Sequence, residues 1–193
     1  MTPVFQLLTK KVAYAKFREI VEGENTTEKT VSPTDTFSVV LRDVIASDLP
    51  IFFEHQLDPE ANRMAAFTAK DPADKDAFTA HWTRNLGNEA STIQTILFDG
   101  QVVGYVSSYV DEDGRLEVSY WIDRSYWGKG IASRALLLFL DYIKTRPLYA
   151  RTAQDNIGSL RALEKCGFTR IGENKGFANA RGTEIKEYIL RLD

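Results

Sequence analysis

The sequence predicts an α/β fold built on a mixed, mostly antiparallel sheet. Two apolar runs, residues 91–98 and 101–109, flank Asp99-Gly100, and such a two-residue turn is a strong signal of a β-hairpin. Residues 116–122 mix β-branched and aromatic side chains with a period close to two, which indicates a further strand. A glycine-containing turn then leads into an apolar, helix-forming run that reaches Leu140. We therefore expect an antiparallel meander followed by a strand–turn–helix unit.

The first part of the domain predicts one strand and two helices. Residues 37–44, FSVVLRDV, are typical of a strand. A helix is expected to begin at Ser47, a natural N-cap, with Pro50 in its first turn, and to stop near Asp58. Residues 72–86 predict a second, amphipathic helix that ends at a glycine.

The segment between these helices, residues 60–71, predicts a long loop. Long loops in compact domains often carry function, so this loop is our first candidate for substrate contact. The alternative is that its larger apolar residues, Met64 and Phe67, only fill the core.

The C-terminal part predicts a short strand, a helix and a final pair of strands. The strand spans residues 147–152, and the helix spans residues 156–165 and is closed by Gly167. The last two strands are expected at residues 168–171 and 184–190.

The length, charge and composition of the chain exclude several classes of function. Its 193 residues suffice for one domain with a full core, and its net charge of -3 gives no field that attracts nucleic acid. No apolar run reaches membrane-spanning length and the N-terminus lacks the order of a secretory signal, so we expect a cytoplasmic protein without membrane contact. The lone Cys166 excludes a disulfide framework, and with His55 and His81 it provides no metal-ligand spacing, so no metal site is expected.

The first 35 residues are predicted to be an N-terminal extension and linker, and residues 36–193 the main domain. Apolar residues such as Val4 and Leu8 loosely follow one side of a helix, and the polar residues 22–36 are typical of a linker. Docking on the main domain, docking on a second copy in a homodimer, and a disordered leader are three open alternatives.

Two glycines, Gly128 and Gly130, lie between the last meander strand and the central helix. The first N–H groups of a helix have no partner inside the helix, and the helix dipole places partial positive charge there. The turn is therefore suited to bind a phosphate or pyrophosphate on backbone amides. The simpler interpretation is that the glycines serve only the turn. The two most familiar phosphate-loop patterns, G-x-x-x-x-G-K-[ST] and G-x-G-x-x-G, are absent at this turn.

This turn and two downstream segments resemble the GNAT superfamily of acetyl-CoA-dependent N-acetyltransferases. The family signature, Gln/Arg-x-x-Gly-x-Gly/Ala, falls on residues 127–132, where Trp127 replaces the usual Gln or Arg. The aromatic variant is similar to the branch that contains the ribosomal-protein alanine N-acetyltransferases. Residues 156–159 and 164–168 match that branch's Asn-x-x-Ser and Glu-Lys-x-Gly-Phe patterns. The resemblance covers residues 36–193.

The resemblance implies a sheet splayed at a V-shaped gap, with helices on both faces and acetyl-CoA as cosubstrate. The gap would lie between residues 115–122 and 147–152, where the pantetheine arm pairs with exposed backbone. The pyrophosphate would lie on the amides of the glycine turn. Lys129 and Arg134 are near enough in sequence to reach phosphates, and solvated surface charges are the alternative for both. The implied cofactor-binding residues are Trp121, Ile122, Trp127, Gly128, Lys129, Gly130, Ile131, Ala132, Ser133, Asn156 and Ser159.

The implied reaction is direct attack of an amine on the thioester, which needs an oxyanion donor and a proton for the departing sulfur. A backbone N–H near Ile122 can serve the oxyanion. Many family members protonate the sulfur with a tyrosine, and in this chain that position is Leu163, which cannot donate. Ser159 is therefore assigned as acid or thiolate-orienting donor, with a helix serine that bonds only its own backbone as the alternative. Asn156 suits both cofactor binding and the N-cap of its helix.

Glu117 is the proposed base. On a strand of period two it shares one face with Ser119 and Trp121, and apolar and aromatic neighbours there would raise its basicity. An exposed sheet glutamate without function is the alternative. Cys166 is expected to pack at a helix end, not to act as a nucleophile.

We expect an N-acetyltransferase whose acceptor is a protein N-terminus or a small-molecule amine. Residues 176–182 are expected to form a loop near the acceptor mouth, where Arg181 meets either a substrate carboxylate or only the surface. A non-catalytic acyl-CoA-binding or regulatory module of the same fold is the second hypothesis. A protein that binds another phosphate ligand on the glycine turn is the third.

Overall fold

Seven strands form one sheet in the computed structural model, which describes residues 38–193. The strands are β1 (Val39–Asp43), β2 (Thr92–Phe98), β3 (Gln101–Val110), β4 (Leu116–Ile122), β5 (Leu148–Ala153), β6 (Thr169–Ala178) and β7 (Thr183–Leu192). Their order is β1-β2-β3-β4-β5-β7-β6, and only β4 and β5 are parallel among the described pairs. The predicted α/β fold with a mixed, mostly antiparallel sheet is confirmed. The predicted extension and linker over the first 35 residues lie outside the described residues.

Five helices accompany the sheet within the described range: α1 (Leu49–Gln56), α2 (Pro59–Ala65), α3 (Lys75–Gly87), α4 (Ile131–Tyr142) and α5 (Ile157–Lys165). α4 and α5 pack on one face, where Leu136, Phe139 and Leu163 join the main hydrophobic core. α1 and α3 pack on the other face, where Phe52 and Trp82 both contact the Tyr105 ring, with ring centroids 5.1 and 4.9 Å away. The predicted helices on both faces are therefore confirmed.

The start of α1 differs from the prediction, because Ser47 is not its N-cap. Residues 46–48 form a short 3₁₀ turn, and Asp48 occupies the cap position without bonding to the helix amides. The Asp48 carboxylate instead accepts two bonds from Arg42, at 2.6 and 2.7 Å, and one from Thr95 at 2.6 Å. This partly buried charge pair ties the turn to the sheet and keeps the Asp48 carboxylate away from the helix amides.

The predicted loop over residues 60–71 is wrong in its first half, because residues 60–65 form nearly all of α2. Asp58 and Pro59, which indicated the end of α1, also begin α2: the Asp58 carboxylate accepts from the N–H groups of Glu60 and Ala61, and Pro59 takes the first turn. One Asp-Pro pair therefore separates two helices, and the loop shortens to residues 66–74.

β4 and β5 form the splayed pair that the resemblance implied. Among the described residues they pair at one position, Glu117 with Tyr149, near the beginning of both strands. Beyond that position the parallel strands diverge toward Ile122 and Ala153, so the gap is closed at one end and open at the other.

The last two strands are longer than predicted. β6 extends through Gly176 to Ala178, so the expected loop over residues 176–182 is reduced to the 3₁₀ turn Asn179–Arg181 and Gly182. β6 is an exposed edge strand of mostly polar residues, and its pairing with β7 defines it more than its own sequence does. No helix of the described chain has the length and apolar character needed to cross a membrane.

Candidate active site

Charged side chains join the strands at the closed end of the gap. The Glu117 carboxylate accepts from the Arg151 guanidinium at 2.7 Å and from the Tyr109 hydroxyl at 3.0 Å. Arg151 also donates to Asp111 at 2.9 Å. Burial and the charge of Glu117 raise the pKa of Tyr109 well above its ordinary value. Glu117 is buried, so the alternative of an exposed sheet glutamate is wrong, but its neighbours are a cation and a phenol instead of an apolar surface.

Backbone of β3 supports the open end of the gap from the far side of β4. Gly104 of β3 lies opposite Ile122, and a Cβ atom at Gly104 would be 1.9 Å from the Trp121 carbonyl oxygen. Only a glycine allows this approach of the two strands. The indole nitrogen of Trp121 is buried and has no partner among the described residues.

The glycine turn has the open geometry that anion binding requires. Gly128 and Gly130 have φ values of 77° and 75°, and no atom lies within 4 Å of a Cβ built at either. Gly130 is the cap residue of α4, and among the described side chains none caps this helix. The first-turn amides of Ile131, Ala132 and Ser133 are therefore available to a ligand in front of the turn.

Trp127 and Lys129 both contact neighbouring parts of the chain. The Trp127 indole nitrogen donates to the Ile122 carbonyl oxygen at 2.8 Å, so the residue that replaces the usual Gln or Arg fastens the turn to the end of β4. The Lys129 ammonium lies over the Tyr126 ring, 4.8 Å from its centroid. The contact with Tyr126 therefore keeps the positive charge of Lys129 near the glycine turn.

The start of α5 brings Asn156 and Ser159 together beside β4. The Asn156 carboxamide oxygen accepts from the Ser159 N–H at 3.1 Å, which confirms Asn156 as the N-cap, and its nitrogen donates to the Met64 carbonyl at 3.1 Å. The Ser159 hydroxyl is 2.9 Å from the hydroxyl of Tyr120 in β4. Leu163, at the family's tyrosine position, is buried in the core.

A second buried carboxyl, Glu187 of β7, lies near the first. Glu187 is opposite Ala153 of β5, and Asn174 donates to it at 3.1 Å. Burial raises the pKa of Glu187, and the hydrogen bond from Asn174 and the nearby charge of Arg151 partly oppose that rise. The sequence reasoning did not identify Glu187, because the register of distant strands decides which glutamates of β7 are buried.

α2 and the loop after it contact the β6–β7 turn. Arg181 donates to the Arg63 carbonyl at 2.8 Å and to both oxygens of Asp155 at 2.7 and 2.9 Å. The Asn179 side chain donates to the Thr68 carbonyl at 2.8 Å, and Phe67 packs against Gly176. Arg181 and Asn179 therefore hold the β6–β7 turn against α2 and the loop after it, and Phe67 packs beside this contact.

Cys166 is buried at the end of α5, where its thiol donates to the Ser133 carbonyl at 3.5 Å. Burial raises the pKa of this thiol, which suits packing between α4 and α5 and not nucleophilic attack.

Comparisons with known proteins agree with this arrangement. The family model described as the acetyltransferase (GNAT) domain matches residues 38–169. An uncharacterized N-acetyltransferase, p20 of Bacillus licheniformis, is 26% identical over 167 residues, which are 81% of this chain and 93% of that protein.

Solved structures share the fold. A ribosomal-protein-alanine N-acetyltransferase from Brucella melitensis has a TM-score of 0.67 at 20% identity, over 79% of this chain and 98% of that chain. The spermidine N-acetyltransferase from Vibrio cholerae, in complex with CoA and spermine, has a TM-score of 0.66 at 18% identity, over 79% of this chain and 95% of that chain. The family match spans most of the described residues, and the splayed sheet has the form that the resemblance implied. The chain therefore belongs to the GNAT family of N-acetyltransferases.

Proposed function

We propose that this protein transfers the acetyl group of acetyl-CoA directly to an amine, either a protein N-terminus or a small molecule. The observation that carries the proposal is the junction of two features. The single described pairing between β4 and β5 leaves a cleft in the sheet, and the start of α4, which no described side chain caps, follows β4 through the glycine turn. A diphosphate with a long extended arm fits this junction, because it needs backbone donors next to an unpaired strand edge.

On the donor side, the residues of the glycine turn bind the pyrophosphate through their amides, and the end of β4 binds the arm. Trp121 and Ile122 provide the strand edge, and Trp127 holds the turn against it through the Ile122 carbonyl. Lys129 adds a positive charge from its position over Tyr126. Acetyl-CoA supplies the activated acetyl group, and the protein orients it and excludes water.

On the helix side, Ser159 donates a hydrogen bond to the sulfur that departs. Asn156 fixes the start of α5 by capping Ser159 and by holding the Met64 carbonyl of α2. These two contacts of Asn156 position the start of α5 relative to α2.

For the proton of the amine, Glu117 is the proposed base, and Glu187 is a second candidate that the structure adds. Both carboxylate oxygens of Glu117 already accept hydrogen bonds, so its action requires an intervening water or a movement of Tyr109. Glu187 is buried with a raised pKa, which brings its proton affinity closer to the working range of a base. The pH profiles of Glu117→Gln and Glu187→Gln distinguish them, because only loss of the base removes the acidic limb of kcat/KM.

The test of the function is thiol release from acetyl-CoA with a panel of amines that includes alanine-starting peptides and polyamines. The proposal predicts release that depends on an amine, with a product heavier by one acetyl group in mass spectrometry. Tight CoA binding without release for any amine would instead support the acyl-CoA-binding module. Thermal stabilisation by another nucleotide but not by acetyl-CoA would support the third hypothesis.

The glycine turn has its own test in the pair Gly130→Ala and Gly114→Ala. Gly130 and Gly114 have φ values of 75° and 76° and open space around a built Cβ, so alanine strains both by a similar amount, about 1 kcal/mol. We expect Gly130→Ala to weaken acetyl-CoA binding at least about tenfold by calorimetry, because the turn amides lose their alignment. Gly114→Ala should lose the same stability and keep its affinity. Equal affinities in the two variants would contradict pyrophosphate binding at the turn.

A further inference from the structure

A pair of hydroxyls spans the side of the gap that faces α5. Tyr120 projects from β4 toward the helices, and its hydroxyl lies 2.9 Å from the Ser159 hydroxyl and 3.3 Å from the Ser159 carbonyl oxygen. In the chain, Tyr120 directly precedes Trp121 and Ile122, the proposed binding edge for the thioester arm. The Ser159 N–H is held by Asn156, so the whole residue is fixed from two sides.

The direction of the hydrogen bond between these hydroxyls decides what Ser159 can do. If Ser159 donates to Tyr120, its only hydrogen is consumed inside the protein. If Tyr120 donates to the Ser159 hydroxyl oxygen, the Ser159 hydrogen is released for a ligand, whereas donation to the more distant Ser159 carbonyl oxygen would not release it. Burial raises the pKa of Tyr120 to about 12, so the phenol keeps its hydrogen throughout the working pH range.

The position of Leu163 explains why a second hydroxyl is useful here. The family's tyrosine position is occupied by a leucine that is 1% exposed within the core, so that part of α5 provides no donor. A serine hydroxyl rotates freely, and by itself it does not hold one direction. A phenol on a strand is rigid by comparison, since the sheet fixes its backbone and the core fixes its ring.

We propose that Tyr120 is a positioning residue for Ser159. Its phenol donates to the Ser159 hydroxyl oxygen, which turns the Ser159 hydroxyl hydrogen toward the sulfur in the gap. The hydrogen bond from Ser159 to the sulfur then stabilises the negative charge on the departing thiolate. Tyr120 does not itself touch the sulfur and transfers no proton. The proposal rests on the proposed function, because it assigns a role within the same acetyl transfer.

The test is a double-mutant cycle with Tyr120→Phe, Ser159→Ala and the double variant, measured after the wild-type protein has shown amine-dependent thiol release. We expect Tyr120→Phe to lower kcat about fivefold and Ser159→Ala to lower it by about as much or more, with KM for acetyl-CoA nearly unchanged. The double variant should be no more than about twofold worse than Ser159→Ala alone, because Tyr120 acts only through Ser159.

A second readout does not depend on turnover. Ultraviolet absorbance of the thiolate gives the ionised fraction of CoA bound to each variant. Tyr120→Phe and Ser159→Ala should each lower that fraction about fivefold at a fixed pH, and the double variant should lower it no further. Tyr188→Phe is the matched control, since Tyr188 also packs on the core but lies on β7, and it should leave kcat and the thiolate fraction unchanged.

Multiplicative losses in the double variant, or an unchanged kcat and thiolate fraction in a folded Tyr120→Phe protein, would overturn the positioning role. These results differ from failure of the proposed function, which would appear as no thiol release from the wild-type protein with any amine. Unfolding midpoints of all variants are measured in parallel, and the thiolate fraction is compared only among variants that bind CoA.

Discussion

At the closed end of the gap, charged side chains tie β4 to β5, whereas at the open end the described residues of β4 do not pair with β5, and β3 supports β4 from its other side. Arg151 connects Glu117 and Asp111 at the first end. At the second end, Gly104 lets β3 approach the Trp121 carbonyl so closely that no side chain fits between them. The cleft is therefore maintained by attraction across one end and by steric contact behind the other.

We therefore expect the open end to be sensitive to added side-chain volume and the closed end to be sensitive to the loss of a charge. A change in volume behind β4 should disturb the binding edge directly, because packed backbone has little freedom to yield. A change in charge at the closed end should act mainly on stability, because Glu117 would lose its partner without any steric displacement.

The largest effect is expected from Gly104→Ala. A Cβ atom 1.9 Å from the Trp121 carbonyl oxygen forces the strands apart, at a cost of about 3 kcal/mol in the free energy of unfolding. Acetyl-CoA binding should weaken as well, since Trp121 and Ile122 move. Gly87→Ala is the control, because a Cβ there meets no atom within 4 Å. Chemical denaturation and calorimetry measure both quantities, and a Gly104→Ala protein of wild-type stability would contradict the steric account.

A smaller effect is expected from Arg151→Met. This change leaves the buried Glu117 carboxylate with the Tyr109 hydroxyl but no cation. Removing one member of a buried pair costs about 3 to 5 kcal/mol, and partial exposure of Arg151 reduces our expectation to about 2 kcal/mol. The control is Arg63→Met, whose partner Glu60 is exposed, and this change should leave the free energy of unfolding nearly unchanged. Equal losses in the two variants would show that the closed end does not depend on its charge.

The smallest effect, visible mainly as a pH dependence, is expected from Glu187→Gln. Because the folded protein raises the pKa of Glu187, it binds this proton more tightly than the unfolded chain does, and the wild-type protein loses stability as pH rises through the folded pKa. Glutamine carries no charge at any pH. The unfolding free energy of the variant, relative to wild type, should therefore rise from acidic to neutral pH.

Glu184→Gln is the matched control for this prediction. Glu184 lies on the same strand but is exposed, and it pairs with Lys175. Its substitution should give no comparable trend with pH. A trend of the opposite sign for Glu187→Gln would mean that the hydrogen bond from Asn174 and the charge of Arg151 together outweigh the burial of this carboxyl.

Local signals predicted most of the fold. The Asp99-Gly100 hairpin, the amphipathic helices and the helix closed by Gly167 are confirmed, because each depends on residues that are neighbours in sequence. The prediction was wrong at Ser47, where Asp48 pairs with Arg42 from another element. It was also too short at β6, where residues 172–178 extend the predicted strand because β7 pairs with them.

The residues of the candidate site also divide into those that local sequence predicted and those that only tertiary packing brings together. The glycine turn and the N-cap at Asn156 were predicted from their own residues, since a turn and a helix cap are local structures, whereas the role of Ser159 came from the family resemblance. The period of two predicted the face of the strand on which Glu117 lies, but it did not predict that Arg151 and Tyr109 are the partners of Glu117. Tyr120 had no signal of its own, because its hydroxyl becomes relevant only when β4 and α5 pack together.

Apart from α2, the sequence by itself determined the order of the main elements, the glycine turn and the resemblance to the GNAT family, because these follow from patterns over a few consecutive residues. Only the tertiary structure decided that Glu117 is bound by Arg151, that Glu187 is buried and that Tyr120 meets Ser159. Such contacts depend on strand register and helix packing, where a shift of one residue turns every side chain to the opposite face.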